Sequence, residues 1–252
     1  MDLLKYNYQY ITESSFVPPV EHHFFKMRAL PMENACQHIL TAEMTVSPQC
    51  QLNHSKDGFG NSVQCGSFSE PHNHFRIESR GVVECSAYCI PDASPKDFYL
   101  YPTRLTEWNK DIAQLASSGN AHDIMHAIYG LLTYERFATD NSTTAIDTFS
   151  IRKGVCQDYA HLMIAACRSA GLKARYVNGL MLGEGETHAW VEVHDGEKWL
   201  GYDPTHDCQI DYGYIKFAHG RDVADCPSNR GRFYGWTMET MAVTCKLIKQ
   251  EN

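Results

Sequence analysis

The sequence lacks the long apolar runs, basic clusters and internal repeats that mark several large classes of protein. No hydrophobic stretch approaches the ~18 residues that a transmembrane helix needs, and the polar, alternating start lacks the apolar segment of a secretory signal. Lys and Arg number 22 against 30 Asp and Glu, which gives a formal net charge of −8. We therefore expect neither nucleic acid nor a membrane as a partner.

Cysteine, in contrast, is plentiful, with ten residues in a chain of 252. Without a visible export signal, these cysteines predict reduced thiols and a cytoplasmic location instead of a disulfide framework. The composition, 43% hydrophobic and 21% charged, is typical of a globular chain with one large domain or two smaller ones. It excludes a collagen, a coiled coil and a small disulfide scaffold, and it does not indicate an oligomeric state.

The period of the hydrophobic pattern changes near residue 100. Residues 3–90 contain short alternating segments, such as LKYNYQYI and QHILTAEMTV, separated by Pro and Gly. From about residue 104 apolar residues recur at three- and four-residue steps, as in helices, and strand-like segments follow after residue 172. We expect an α+β protein, with an antiparallel β-sandwich-like domain at 1–95 and helices packed on an antiparallel sheet at 96–252.

One spacing in the second half brings a histidine and a carboxylate together. Asp195-Gly196 is the dipeptide best suited to a two-residue hairpin loop between THAWVEVH and EKWLGYD. With that loop His188 lies directly opposite Asp203 on the same face, with Cβ atoms ~4.5–5.5 Å apart. A carboxylate there accepts an imidazole N–H and favours the charged ring. A loop of three or four residues would shift this register.

The candidate nucleophile is Cys156, which follows Gly154 and lies in the first turn of a predicted helix that Gly171 ends. The helix dipole and unpaired N–H groups there stabilise a thiolate, and an adjacent His188 completes a Cys–His–Asp arrangement. The backbone N–H of Cys156 is a natural oxyanion donor, whereas spacing identifies no second donor. The structural alternatives are a small core cysteine, which we expect Cys167 to be, and a histidine that only bonds a carboxylate.

Three segments around these residues, GVCQDYAHL, THAWVEV and GYDPTHD, resemble the core of the transglutaminase-like superfamily, a papain-related group of cysteine enzymes. HFFKMRALP and DGFGN resemble the N-terminal domain of bacterial transglutaminase-like proteins, and GRDVADCPSNRGRFYG resembles their C-terminal segment. The resemblance implies a papain-like core with Cys156 as nucleophile, His188 as general base and acid, and Asp203 as the residue that orients the histidine. The sequence departs from the family pattern at residues 225–229, DCPSN, toward the substrate-facing end.

Other candidate ligands do not make a complete metal site. His122 and His126, four residues apart on a predicted helix, imitate a zinc-protease motif but lack its glutamate and a third ligand. No EF-hand loop is present. Two further pairs form no four-ligand set: His72 with His74, and Cys85 with Cys89. We therefore expect no metal and no cofactor.

These inferences predict a thiol-dependent enzyme that acts on an amide bond of a peptide or protein substrate through an acyl-thioester on Cys156. A bacterial cysteine peptidase or amidohydrolase is the first expectation, because water at ~55 M needs no dedicated pocket. Transfer of the acyl group to an amine, as in a transglutaminase, is the alternative, since glutamates in the loop at 183–186 could attract an amine. That loop is either a mobile flap or a solvated turn. A binding module that retains the fold without turnover is the third possibility.

Overall fold

The structure, a computed structural model, describes residues 2–251 as three β-sheets and a group of short helices. The strands, in chain order, are β1 (Leu4–Met27), β2 (Gln37–Ser47), β3 (Asn53–Lys56), β4 (Ser62–Phe68), β5 (His72–Cys85), β6 (Ile90–Pro91), β7 (Thr133–Tyr134), β8 (Lys153–Gly154), β9 (Ala174–Met181), β10 (Gly183–Gly185), β11 (His188–His194), β12 (Lys198–Asp203), β13 (Cys208–Gln209), β14 (Tyr214–Gly220), β15 (Asn229–Tyr234) and β16 (Met238–Lys249). The α-helices are α1 (Lys110–Leu115), α2 (Ala121–Leu131), α3 (Ala145–Ile151) and α4 (Cys156–Ser169).

The first sheet is organised around the long strand β1. Its alternating sequence buries Tyr6, Tyr8 and Tyr10 on one face, as the two-residue period predicts. β1 pairs antiparallel with β4 and β5 and also with β15 and β16 from the far end of the chain. The expected antiparallel, sandwich-like N-terminal region is confirmed, and it takes strands from both ends of the chain. The division between 1–95 and 96–252 stays a prediction.

The second sheet forms the core that the helices cover. Its strand order is β13-β12-β11-β9-β14, all antiparallel, with β6 beside β12. α4 is the central helix: it packs on β9 and β11 and contacts the other three helices, and its residues 158–168 are all buried. α4 ends where predicted, because Gly171 adopts a φ of 77°, in the left-handed region that glycine favours. The expected α+β class is confirmed.

The hairpin loop between β11 and β12 differs from the predicted one. The N–H of Asp195 donates to the carbonyl of Lys198 at 3.0 Å, so the two-residue loop is Gly196-Glu197 instead of Asp195-Gly196. The Asp195 carboxylate explains the shift, since its Oδ1 accepts the N–H groups of Glu197 at 3.0 Å and Lys198 at 2.9 Å. Gly196 then takes the first loop position with a φ of 112°.

Two properties of the whole chain complete the fold. All ten cysteines lie within the described residues and carry free thiols. Among residues 2–251, no helix has both the length and the apolar character needed to span a bilayer. The cytoplasmic location stays a prediction.

Candidate active site

Cys156 is the first residue of α4, so its backbone N–H has no acceptor within the helix. The residue before it, Val155, has an extended backbone with φ −111° and ψ −179°. The N–H of Val155 donates to Oδ2 of Asp158 at 2.7 Å, and the Thr139 hydroxyl donates to the same oxygen at 2.7 Å. The buried Asp158 carboxylate, whose pKa burial raises, therefore fixes the turn that presents the Cys156 thiol.

Gly154 is required for a different reason from the predicted one. A glycine two residues before a nucleophile is expected to allow a sharp turn and close approach of a substrate. In the structure Gly154 is buried, and a Cβ at this position would lie 2.6 Å from both Cβ and Oδ2 of Asp158. Glycine thus makes room for the carboxylate that caps the helix of Cys156.

His188, the first residue of β11, connects the thiol with the predicted carboxylate. Its Nε2 donates to Oδ2 of Asp203 at 2.7 Å, which leaves Nδ1 for Cys156. Burial lowers the pKa of His188, but hydrogen bonds with Asp203 and with Cys156 outweigh burial and raise that pKa to about 10. The histidine therefore favours the imidazolium form, which stabilises a neighbouring thiolate.

Asp203 is fully buried, and its carboxylate accepts four hydrogen bonds. Besides His188, Oδ2 accepts from Nδ1 of His206 and from the Tyr214 hydroxyl, both at 2.8 Å, while Oδ1 accepts the N–H of Thr205 at 2.9 Å. Burial alone would raise the pKa of Asp203, but the hydrogen bonds from His188 and His206 hold it well below its usual range. Sequence reasoning missed His206 and Tyr214; only the position of His206, three residues after Asp203, was a usable signal.

The predicted pairing of His188 and Asp203 forms, although the predicted register is wrong. The ladder places Val191 opposite Tyr202, a shift of two residues from the register that would put His188 directly across from Asp203. A two-residue shift keeps every side chain on its predicted face. His188 and Asp203 are consequently diagonal neighbours, a separation that an aromatic side chain can bridge.

Two cavities meet at the thiol. One, of about 430 Å³, is lined by the 183–187 segment, Thr205 and His206, and we call it the β10 cavity. The other, of about 570 Å³, is lined by Asn178, the 227–230 segment and Met241, and we call it the β15 cavity. Both cavities share the following wall residues: Val155, Cys156, Glu186, Thr187 and His188. An extended molecule can therefore pass across Cys156 with space on each side.

The segment at 183–186 is neither a free flap nor a solvated turn. Residues Gly183–Gly185 form β10, which pairs with β16 of the first sheet. Glu184 is 2.5 Å from Nζ of Lys246, and Glu186 is 3.4 Å from Nη1 of Arg136. Both glutamates thus have a cationic partner within the protein.

The remaining candidates from the sequence lie apart from the thiol. Cys167 is a core residue, as expected, and burial raises its pKa to about 12. His126 bonds Asp207 at 2.6 Å and belongs to no group spaced to hold a metal ion in the described part of the chain. Within residues 2–251, the only three-residue group spaced to hold a metal ion is formed by His188, Asp203 and His206, whose ligand atoms lie within 4.8 Å of one another. These atoms already bond each other, and the expectation of no metal stays a prediction.

Comparison with known proteins agrees with the architecture. An uncharacterized protein of Mycobacterium tuberculosis is 28% identical over 91% of this chain and 88% of its own length. A protein-glutamine gamma-glutamyltransferase of Pseudomonas aeruginosa is 32% identical over 34% of this chain and 16% of its own length. A crystal structure from Cytophaga hutchinsonii, described as a candidate cysteine protease, has the same fold, with a TM-score of 0.82, 22% identity, and coverage of 100% of this chain and 93% of that one.

Two family matches cover most of the chain. Residues 6–84 match the bacterial transglutaminase-like N-terminal region. Residues 106–204 match the transglutaminase-like superfamily, and this segment contains Cys156, His188 and Asp203. The chain therefore belongs to the transglutaminase-like superfamily and carries the N-terminal region of its bacterial members.

Proposed function

We propose that this protein is a thiol-dependent hydrolase that cleaves an amide bond of a peptide or protein substrate through an acyl-thioester on Cys156. The observation that carries the proposal is the connection from the buried Asp203 carboxylate through His188 to a thiol at a helix N-terminus. The cavities on both sides of that thiol support a substrate that extends in two directions. A buried structural Cys–His pair would need neither cavity.

The first half of the proposed reaction forms the thioester. The Cys156 thiolate attacks the amide carbonyl carbon, and the new C–S bond pushes electrons onto the carbonyl oxygen. The backbone N–H of Cys156, which has no acceptor within the helix, stabilises that oxyanion. The His188 imidazolium then donates its proton to the departing amine as the C–N bond breaks.

The second half consumes water. Neutral His188 removes a proton from a water molecule, whose oxygen attacks the thioester carbon. Collapse of the tetrahedral intermediate breaks the C–S bond and releases a carboxylic acid, restoring the thiolate–imidazolium pair. Asp203 stays ionised throughout, since its bonded donors hold its pKa well below its usual range, and it stabilises the imidazolium in both halves.

We prefer hydrolysis over transfer to an amine because, among residues 2–251, the walls of the two cavities carry no acidic side chain without a cationic partner. The two glutamates of the 183–186 segment are paired with Lys246 and Arg136. Efficient transfer requires a site that positions the amine and excludes competing water. Water needs no such site.

The test compares hydrolysis with amine incorporation. Peptide substrates are incubated with and without a fluorescent primary amine, and released acid or ammonia is measured beside incorporated label. We expect hydrolysis to dominate and to vanish in Cys156→Ala, while Cys65→Ala, a control at another partly exposed cysteine, retains it. Incorporation outrunning hydrolysis at millimolar amine would identify a transferase instead.

Thiol mapping distinguishes the third possibility. Brief iodoacetamide treatment near neutral pH, followed by peptide mapping, is expected to alkylate Cys156 before the other nine cysteines, because it lies at a helix N-terminus beside His188. A folded protein without turnover in which Cys156 reacts no faster than Cys65 would be a binding module that retains the fold.

A further inference from the structure

Two arginines on the wall of the β15 cavity have no acidic partner in the part of the chain that the structure describes. Arg104 precedes α1, Arg230 lies on β15, and both side chains are exposed. Nη1 of Arg104 donates to the Ser142 carbonyl at 3.3 Å, a neutral acceptor. Within residues 2–251, neither guanidinium forms an ion pair. Six other arginines do, with a carboxylate oxygen at most 3.4 Å from a guanidinium nitrogen.

The β15 cavity is therefore positive in a protein that is negative overall. Among the described residues that line it, the one carboxylate belongs to Glu186, which lies at the junction of the two cavities and is paired with Arg136. The other polar side chains along this wall include the neutral amides of Asn141, Gln157 and Asn178. In the β10 cavity, by contrast, Arg136 and both glutamates have partners of opposite charge.

We propose that the β15 cavity binds an acidic group of the substrate, with Arg104 and Arg230 supplying the positive charge. Guanidinium groups bind carboxylates through paired N–H donors. An Asp or Glu side chain and a free C-terminal carboxylate share that chemistry. The inference rests on the proposed function, because it assigns a substrate class to the cavity beside Cys156.

The two arginines lie in parts of the chain outside the segments that match the family models. Arg104 and Arg230 both lie outside the two family-matched segments, 6–84 and 106–204. The 227–230 part of the wall begins within DCPSN, where the sequence departs from the family pattern. The matched core thus supplies the thiol and the histidine, and one arginine on each side of that core, Arg104 and Arg230, supplies the charge of the β15 cavity.

Alkylating probes test the selectivity without requiring turnover. Three probes are used: bromoacetyl-Ala-Glu-amide, bromoacetyl-Ala-Gln-amide and bromoacetyl-Ala-Gln with a free C-terminal carboxylate. We expect one or both acidic probes to label Cys156 about 3- to 10-fold faster than the neutral probe, and the advantage to shrink in 0.5 M salt. The two acidic probes distinguish a side-chain carboxylate from a terminal one.

The matched variants assign the effect to the two arginines. Arg104→Gln/Arg230→Gln is expected to lose the preference while labelling with the neutral probe at the original rate. Arg232→Gln, two residues farther along the exposed strand and outside the cavity wall, is expected to keep the preference. Equal loss in Arg232→Gln would overturn the assignment to Arg104 and Arg230.

The outcomes separate this inference from the proposed function. Equal labelling by all three probes in a protein that hydrolyses peptides overturns the acidic substrate class and leaves the hydrolase intact. Faster labelling by an acidic probe in a protein without turnover supports the acid-binding cavity and overturns the hydrolase. Circular dichroism of each variant confirms that the compared proteins are folded.

Discussion

The second sheet contains two buried carboxylates with very different partners. Glu192, in the middle of β11, accepts from Nζ of Lys216 at 2.8 Å, from the Tyr88 hydroxyl at 2.5 Å and from Nε of Arg175. Asp203, at the end of β12, accepts instead from two imidazoles and one phenol. Both carboxylates are 0% exposed, so burial does not distinguish them.

The partners decide what each cluster can do. Burial raises the pKa of Glu192, but Arg175 and Lys216 lower it to about 2, and burial lowers the pKa of Lys216 to about 8. These perturbed values belong to a cluster in which Glu192, Lys216 and Arg175 are all buried, and none of the three lines either cavity beside the thiol. The Asp203 cluster reaches a thiol and two cavities through His188. A perturbed pKa therefore marks a site for chemistry only where a reactive group and open space adjoin it.

The largest expected effect is loss of activity in Asp203→Asn. An amide in place of the carboxylate no longer stabilises the His188 imidazolium, and we expect turnover to fall by about 10⁴-fold with the fold retained. Kinetics and thermal unfolding measure the two quantities. Asp207→Asn, on the same turn but bonded to His126, is the control and is expected to retain activity. A loss of turnover below tenfold in Asp203→Asn would mean that Asp203, like Glu192, has a structural role and not a catalytic one.

Glu192→Gln is expected to lose stability and to retain activity, the reverse of Asp203→Asn. The substitution leaves Lys216 and Arg175 buried without a counter-charge, which we expect to lower the free energy of unfolding by about 3–5 kcal/mol. Turnover per folded molecule should stay close to the original value. Urea unfolding measures the loss, and Glu197→Gln in the exposed hairpin loop should change stability by less than about 0.5 kcal/mol. A large catalytic defect without destabilisation would contradict the structural role.

Local patterns were enough to predict the elements that carry the site. The alternation in β1, the thiol at the start of α4 and the glycine that ends it at 171 all follow from periods and end signals within a few residues. The pairing of His188 with Asp203 was predicted for the correct face in the wrong register. The side chain of Asp195 accepts the loop N–H groups and so favours the observed register. In both registers His188 and Asp203 lie on the same face of the sheet.

Long-range pairing could not be predicted. Nothing in residues 238–249 specifies that they pair with β1, more than two hundred residues earlier. No local pattern therefore indicates that Met241 and Val243 line the β15 cavity. Tyr214 and Lys216 each reach a carboxylate on another strand through the strand order of the second sheet. Both charge clusters depend on which strands are neighbours in the sheet. A short stretch of sequence does not contain that information.

Opposite pH dependences sharpen the comparison. The pKa of folded His188 is raised from 6.5 to about 10, so its contribution to stability is complete below pH 6.5 and is lost as pH rises through about 10. The pKa of Glu192 is lowered from 4.5 to about 2, so its contribution is complete above pH 4.5 and is lost as pH falls through about 2. The free energy of unfolding, measured in urea across this pH range, should fall at both ends, in an alkaline limb and an acid limb.

The two variants assign these limbs. Asp203→Asn should flatten the alkaline limb, whose slope for one proton is at most about 1.4 kcal/mol per pH unit, because the carboxylate that raises the pKa of His188 is gone. Glu192→Gln should flatten the acid limb and leave the His188 contribution in place; on the alkaline side it acts only through Lys216, whose pKa the carboxylate no longer raises. An alkaline limb that survives unchanged in Asp203→Asn would mean that another group causes it.

The smallest effect concerns His206, the second imidazole on Asp203. Its side chain is 46% exposed, so water can replace its hydrogen bond, and His188 and Tyr214 still donate to Oδ2 when it is removed. We expect His206→Ala to lower kcat/KM by about 2- to 5-fold, less than about 1 kcal/mol of transition-state stabilisation. His206→Asn, whose Nδ2 can occupy the position of the histidine Nδ1 and donate to Asp203, should restore most of that loss. An equal loss in both variants would show that His206 acts through its contacts with the substrate in the β10 cavity, and not through Asp203.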